Sequence, residues 1–282
     1  MNYPKISVIT PSYNQAQFLE RTIKSIVEQD YPNLEYIVCD GGSTDGSVEI
    51  IKKYEDKITW WCSEKDKGQS NAINKGMKRA TGDIVCWINS DDILLPDALK
   101  EYARMYNENP QCSVFRAQTM RIDPNDNILY FHILPPLYPF LYRNGIIGMP
   151  QQSWAWKRKE VFDKIGYINE ERHACMDIEF LMRQLRAGFK VAHSNKFIGA
   201  IRIYEGTKTS GDDMNDENNI WFKDRKVMKV EFADFKFYNI PLISRFAYRL
   251  FKTLNGIYLK QYLLDRKYKG YKYLEYCNSH RH

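Results

Sequence analysis

An α/β fold built on a mostly parallel sheet with flanking helices is what this sequence predicts, and three observations predict it. Over the first 120 residues, short apolar runs alternate with longer stretches of helical period. Each apolar run is followed at once by a polar cluster, the arrangement expected where strands empty onto a common edge. The composition, 44% apolar and 27% charged over 282 residues, is that of a globular chain of about two domains rather than a disordered or collagen-like one.

Along the chain, residues 6–10 form the first strand. Leu19, Ile23, Ile26 and Val27 then recur at spacings of four, three and one, an amphipathic helix that stops near Asp30-Tyr31-Pro32. Residues 36–39 are the second strand, and Val48, Ile51 and Tyr54 mark a short helix opened by the turn residues Gly42-Ser43-Thr44-Asp45-Gly46. Residues 58–62 make the third strand. Ala72, Ile73, Gly76, Met77 and Ala80 line one face of the next helix, and Thr81-Gly82-Asp83 turns into the strongest strand, residues 84–88. Pro96 suits the first turn of a helix ending near Asn107.

Beyond Gln111 the rhythm changes, so a boundary is expected near residue 112. Residues 113–120 form a strand, but Pro124, Pro135, Pro136, Pro139 and Pro150 interrupt the stretch after it. Residues 160–190 hold two helical stretches, the second, 177–187, carrying Ile178, Leu181, Met182 and Leu185 at helical spacing. Residues 205–219, rich in Gly, Ser, Thr, Asn and Asp, form a loop. No apolar run reaches the roughly 18 residues of a spanning helix, and no signal peptide is expected at the start. The six cysteines lie 23 or more residues apart, with no zinc spacing; they are expected to be reduced, mostly core thiols of a cytosolic protein.

The ligand of an open parallel sheet sits beyond the carboxyl ends of its strands. There the sequence places Pro11-Ser12-Tyr13-Asn14, Asp40-Gly41-Gly42-Ser43, Ser63-Glu64-Lys65-Asp66 and Asn89-Ser90-Asp91-Asp92. One acid after a strand is ordinary turn chemistry, but four polar clusters on one edge make a cleft suited to a divalent cation shared with a phosphate ligand. Asp91 and Asp92 are the sharpest metal candidates, because adjacent carboxylates repel unless a cation or protons neutralise them. Mg²⁺ or Mn²⁺ is the expected ion. The plain alternative for Asp92 is a helix cap near Pro96.

Three blocks, ISVITPSYNQAQFLERTIKSIVEQDYPNLEYIVCDGGSTDGS, DKGQSNAINKGMKRATGDI and WINSDD, with a looser echo in MDIEFLMRQLRAGF, resemble glycosyltransferase family 2, inverting enzymes of the GT-A fold. The resemblance implies a nucleotide-sugar half over residues 1–112, an acceptor-binding half over 113–210, and a loop with a basic aromatic helical tail over 211–282. It implies a UDP-sugar donor, with Pro11 and Tyr13 against base and ribose and Asp40 accepting from the uracil N–H, unless Asp40 is simply a turn acid. Lys67 and Gln69 fall near ribose or phosphates, with a solvated surface lysine as the alternative; Asn74 and Gly76 are packing residues. The family's Asp-x-Asp metal motif here reads Asn89-Ser90-Asp91-Asp92, so the first acid is missing and Asp91 becomes the principal ligand with Asp92 beside it. Asp177 matches the acceptor-side acid that would serve as base, the alternatives being a first-turn helix acid or Glu179. Gln152 and Trp154 fall where related sequences contact acceptor, with Trp154 and Trp156 either stacking on sugars or filling the core. Tyr204 stands where many relatives carry histidine, and Lys208 is a candidate phosphate partner.

Residues 221–282 hold 14 Lys/Arg against 5 Asp/Glu and 15 of the 40 aromatics. Such a tail fits a helix lying on an anionic membrane surface, or one packed on the body with its basic side solvated; a nucleic-acid patch is disfavoured. The combined expectation is a cytoplasmic transferase, peripheral at the inner membrane face if the tail binds lipid, acting on a saccharide or lipid-linked acceptor. The alternatives are a sugar nucleotidyltransferase, whose glycine-rich, Arg-bearing loop is absent after the first strand, and a non-catalytic nucleotide-sugar-binding protein. Without a G-x-G-x-x-G after that strand, a dinucleotide dehydrogenase is disfavoured.

Overall fold

The computed structural model describes residues 2–135, 150–205, 207, 219–234 and 242–280. They belong to two compact units, Met1–Ala117 with Gln151–Ile201, and Gln118–Pro150 with Arg202–His282.

In the first unit β1 (Ile6–Ser12), α1 (Ala16–Val27), β2 (Leu34–Asp40), α2 (Ser47–Lys53), β3 (Trp60–Ser63), α3 (Gln69–Arg79) and β4 (Ile84–Trp87) alternate as the sequence predicts. All pairings among these four strands are parallel. After β5 (Ile93–Leu94) and α4 (Ala98–Glu108), the chain enters β6 (Val114–Ile122), whose first residues lie in this unit. β7 (Ile128–His132) belongs to the second unit; β8 (Trp154–Lys157), α5 (Arg158–Ile165), α6 (Met176–Arg186) and β9 (Val191–Arg202) bring the chain back to the first. The strand order is β3-β2-β1-β4-β8-β6-β9-β5. α1 buries Phe18, Leu19, Ile23 and Ile26, the stripe its spacing announces. α3 lies tight on β1 because residue 76 is glycine: a Cβ there would stand 2.5 Å from Ile9 Cγ2.

The boundary expected at residue 112 does not separate compact units. β8 runs antiparallel to β4, Ile84 opposite Lys157 and Val85 opposite Trp156, and antiparallel to β6. Residues 151–201 therefore complete the first unit's sheet instead of forming a half of their own. β3 starts at Trp60, two residues later than expected.

In the second unit the later part of β6 pairs antiparallel with β7. Its helices are α7 (Ile220–Glu231), α8 (Leu242–Leu254), α9 (Ile257–Tyr268) and α10 (Tyr273–Ser279). α9 packs on β7, where the Asp265 carboxylate accepts from Phe131 N at 2.7 Å, and Phe131 meets the rings of Tyr268 and Tyr276 at 6.3 and 5.0 Å. No helix among the described residues is long and apolar enough to cross a membrane. Lys208, most of the loop 205–219, Pro136 and Pro139 lie outside the described residues.

Candidate functional site

The parallel register sets Ser12, Asp40 and Ser63 side by side at the outlet ends of β1, β2 and β3. Asp40 is buried, and its carboxylate accepts from Gly42 N (3.1 Å), Ser43 N (2.9 Å), Ser43 Oγ (2.5 Å) and Ser63 Oγ (2.7 Å). That fills the roughly four acceptor sites of a carboxylate. Asp40 thus organises the turn in which Gly42 takes a φ of +83° with Lys65 N only 3.3 Å from its would-be Cβ. The same turn is tied to β1's exit: Asn14 N donates to Ser43 Oγ at 2.8 Å, and Asn14 Oδ1 accepts from Thr44 N at 3.0 Å. Tyr13 projects from this rim at 63% exposure, a ring face open for stacking, whereas Pro11 is buried in β1. The Ser12 hydroxyl is buried without a partner. Behind Asp40, Cys39 stands opposite Cys62. Their thiol–thiol hydrogen bond pushes Cys39 up, with burial adding to the rise, and pulls the half-buried Cys62 down against burial, Lys75 assisting the latter.

After β4, Asn89 forms the middle of an amide relay. Gln69 Nε2, at the first position of α3, donates to Asn89 Oδ1 at 2.9 Å, and Asn89 Nδ2 donates to Asp92 Oδ2 at 3.1 Å. Gln152 Nε2 donates to the same Asp92 oxygen at 2.6 Å. From α1, Thr22 Oγ1 holds the backbone carbonyls of Ser90 and Asp92 at 2.9 and 2.8 Å. Asp92, expected beside Asp91 as a metal ligand, is 3% exposed, and its Oδ2 accepts from two amides that anchor the loop. Asp91 is half-exposed at the same edge. Among the described residues no three His, Cys, Asp or Glu side chains cluster to cage an ion. The donor set that fits is one carboxylate plus ligand phosphates and water, the shell Mg²⁺ commonly takes.

Gln152, expected at the acceptor, is buried and donates to Asp92. Trp154 and Trp156 are 4% and 1% exposed, with Trp156 edge-on to Trp87 and Phe180 at 5.6 and 5.2 Å. β8 lies between β4 and β6, so neither tryptophan offers an open face to a sugar, and Trp154 is a core residue. Ser70 Oγ joins the first turn of α3 to the start of α6 through Arg172 O (2.8 Å) and Met176 Sδ (3.1 Å). Asp177 follows directly, half-buried in α6's first turn, with Oδ1 accepting from Ile178 N at 2.8 Å. Glu179 is buried under Arg183, at 2.6 and 3.0 Å to its two oxygens, and is unavailable as a base. Asn74 bridges Ile168 and Glu170, a packing role as expected. Lys67 is exposed. Thr22 and the relay role of Asn89 were missed by sequence reasoning; a threonine at 22, beside the apolar stripe of α1, was the available signal.

The family model described as glycosyl transferase family 2 matches residues 7–166. The chain belongs to that family. This glycosyltransferase is 26% identical to the putative teichuronic acid biosynthesis glycosyltransferase TuaG of Bacillus subtilis (strain 168), over 81% of the chain and 90% of TuaG. It is 38% identical to the GalNAc(5)-diNAcBac-PP-undecaprenol beta-1,3-glucosyltransferase of Campylobacter jejuni, over 37% of the chain and 35% of that protein. The span is shorter for other relatives, 45% of a Haemophilus influenzae glycosyltransferase and 31% of Streptococcus pneumoniae GlyA. Among solved structures, S. aureus TarS 1-349 in complex with UDP-GlcNAc matches with TM-score 0.62 and 21% identity, over 80% of this chain and 66% of that one. The mannosyltransferase PcManGT of Pyrobaculum calidifontis, in complex with GDP-Man and Mn²⁺, matches with TM-score 0.56 and 19% identity, over 73% and 59%. These likenesses show the GT-A fold, and family membership sets aside the nucleotidyltransferase alternative.

Proposed function

We propose that this glycosyltransferase is inverting and moves a sugar from a UDP-sugar to a hydroxyl of a saccharide or lipid-linked acceptor in polysaccharide or glycoconjugate assembly. The observation that carries the reading is the polar chain Gln152, Asp92, Asn89, Gln69, continued by Ser70 to Met176, which links the loop of Asp91 to the helix turn of Asp177. The names of relatives support it: TarS is solved with UDP-GlcNAc, and the Campylobacter enzyme is a glucosyltransferase acting on a lipid-linked glycan. Tyr13 and Pro11 border the base, and Asp40 takes the base N–H in exchange for one of its hydroxyl donors. Gln69 and Lys67 lie on the ribose and phosphate side. Asp177 removes the proton from the acceptor hydroxyl as its oxygen bonds to the anomeric carbon; the bond from that carbon to the diphosphate oxygen breaks, and the diphosphate leaves with the electron pair. A divalent cation, Mn²⁺ or Mg²⁺, held by Asp91 and the diphosphate would offset the leaving group's negative charge. The buried Cys39, Cys86, Cys112 and Cys175, none of them in a disulfide, suit a reducing cytoplasm.

A thermal-shift series with UDP and GDP, each with and without Mn²⁺, tests this, since a ligand of the folded state raises the melting point by mass action. UDP with Mn²⁺ is expected to give the largest shift, and Asp91→Asn to lose its Mn²⁺-dependent part. Asp177→Asn should keep the shift and slow transfer by about 10²–10⁴-fold. A shift with another nucleotide but none with UDP defeats the donor assignment, and full turnover by Asp177→Asn moves the base elsewhere. Asn89 in place of an acid favours a second reading, nucleotide-sugar binding without transfer. A UDP shift with no transfer to any acceptor would select it.

A further inference from the structure

We propose that α8 and α9 form a docking surface for an anionic phospholipid bilayer. The second unit carries this by itself, so it stands or falls independently of the donor chemistry. α9 turns one side to β7 through Tyr268 and Asp265, while its other side leaves Leu259, 61% exposed, with Tyr262 and Leu263 in solvent. α8, which packs against α9, exposes Phe246 (69%), Leu250 and Leu254 (76%), spaced four residues apart on one face. A shallow groove of about 390 Å³ on α9 is lined by Leu259, Leu263 and Leu264 together with Lys260, Lys267 and His280. Soluble surfaces scatter single leucines; an exposed apolar stripe on each of two neighbouring helices marks an interaction site.

Charge selects the occupant. Residues 242–272 hold eight Lys/Arg and one acid, Asp265, which is spent on Phe131 N. A second copy would bring the same excess of positive charge against this one, and a nucleic acid would leave the aliphatic stripe without an apolar partner. An anionic bilayer satisfies both halves, headgroups taking the cations and acyl chains the leucine face. With no helix among the described residues long enough to span, the surface adsorbs rather than inserts.

The test is co-sedimentation of the full chain with vesicles of phosphatidylcholine alone or mixed with phosphatidylglycerol. Strong pelleting is expected only with phosphatidylglycerol, weakening as salt rises. L254E/L259E, at exposed positions, should bind at least about tenfold more weakly for each leucine replaced. K260Q/K267Q should lose the preference for phosphatidylglycerol, and it decides the matter should L254E/L259E melt below wild type. Equal pelleting of wild type and both variants overturns the proposal. So does wild-type pelleting no greater than in vesicle-free controls, a concentration-dependent dimer that L254E/L259E abolishes, or displacement from vesicles by RNA.

Discussion

Asn89 stands where a carboxylate would face Asp92, and its amide turns a repulsive pair into a bonded one. Nδ2 gives Asp92 a donor at 3.1 Å while Oδ1 accepts from Gln69 at 2.9 Å, so each polar atom of the side chain has a use. Asn89→Asp would replace that donor with a second carboxylate at hydrogen-bond distance from Asp92. The pair would have to share a proton or a cation. The expected outcome is a loss of about 2 kcal/mol of stability in metal-free buffer at neutral pH, partly recovered on adding Mn²⁺, because the new acid creates a two-carboxylate site. Urea unfolding of wild type and variant, each with chelator and with Mn²⁺, reads both quantities. A variant as stable as wild type in chelator would mean that Asn89 holds nothing in place.

Elements transmit these contacts, and α3 shows how narrowly. Its first residue, Gln69, belongs to the relay, and its eighth, Gly76, lies where any Cβ would strike Ile9 at 2.5 Å and Cys39 Sγ at 3.4 Å. Gly76→Ala therefore pushes the helix off β1 and β2, at an expected cost of about 1–3 kcal/mol. It should also weaken the UDP thermal shift by moving Gln69. Unchanged unfolding together with an unchanged shift would show that the helix absorbs the methyl without moving. What the sequence disclosed obeys the same geometry. The β1 to β4 alternation was legible because each apolar stripe is local and its partners are adjacent, and the outlet-edge acids were legible because they come directly after those strands. β8 was not, since its partners β4 and β6 lie about 35 to 70 residues away, and Trp154 and Trp156 carry no mark that tells a core ring from a sugar platform. The anchoring role of Asp92 was not legible either, because its amide partner Gln152 is 60 residues distant.

Across the first unit the sheet's two edges divide the work. The outlet edge gathers the polar relay, while the opposite edge is clamped by Glu35, whose carboxylate accepts from Ser7 Oγ (2.5 Å), Thr81 N (2.7 Å) and Thr81 Oγ1 (2.6 Å) and pairs with Lys5 at 2.9 Å. Burial alone would raise its pKa, but these bonds outweigh burial and leave the group at about 2, against an ordinary 4.5. On β9, burial, then the charge of Arg116, pulls His193 from 6.5 down to about 4. Both shifts tie stability to pH with the same sign. The unfolded chain binds the histidine proton at 6.5 and the folded chain refuses it until about 4, so that contribution is complete above 6.5 and drains away as pH falls to 4. Its size is on the order of 2 kcal/mol, discounted for residual solvent contact. Glu35 adds a second loss, beginning near 4.5 and ending near 2. Melting temperatures taken from pH 7.5 down to 3, values chosen to bracket roughly both windows, should therefore begin to fall near 6.5, well above the range where ordinary carboxylates titrate. His193→Gln should flatten the curve between about 6.5 and 4.5 while leaving the steeper acid limb in place, whatever its effect on the plateau. A variant whose slope in the upper window matches wild type would show that His193 is protonated as readily in the fold as outside it, and would assign the loss there to another group.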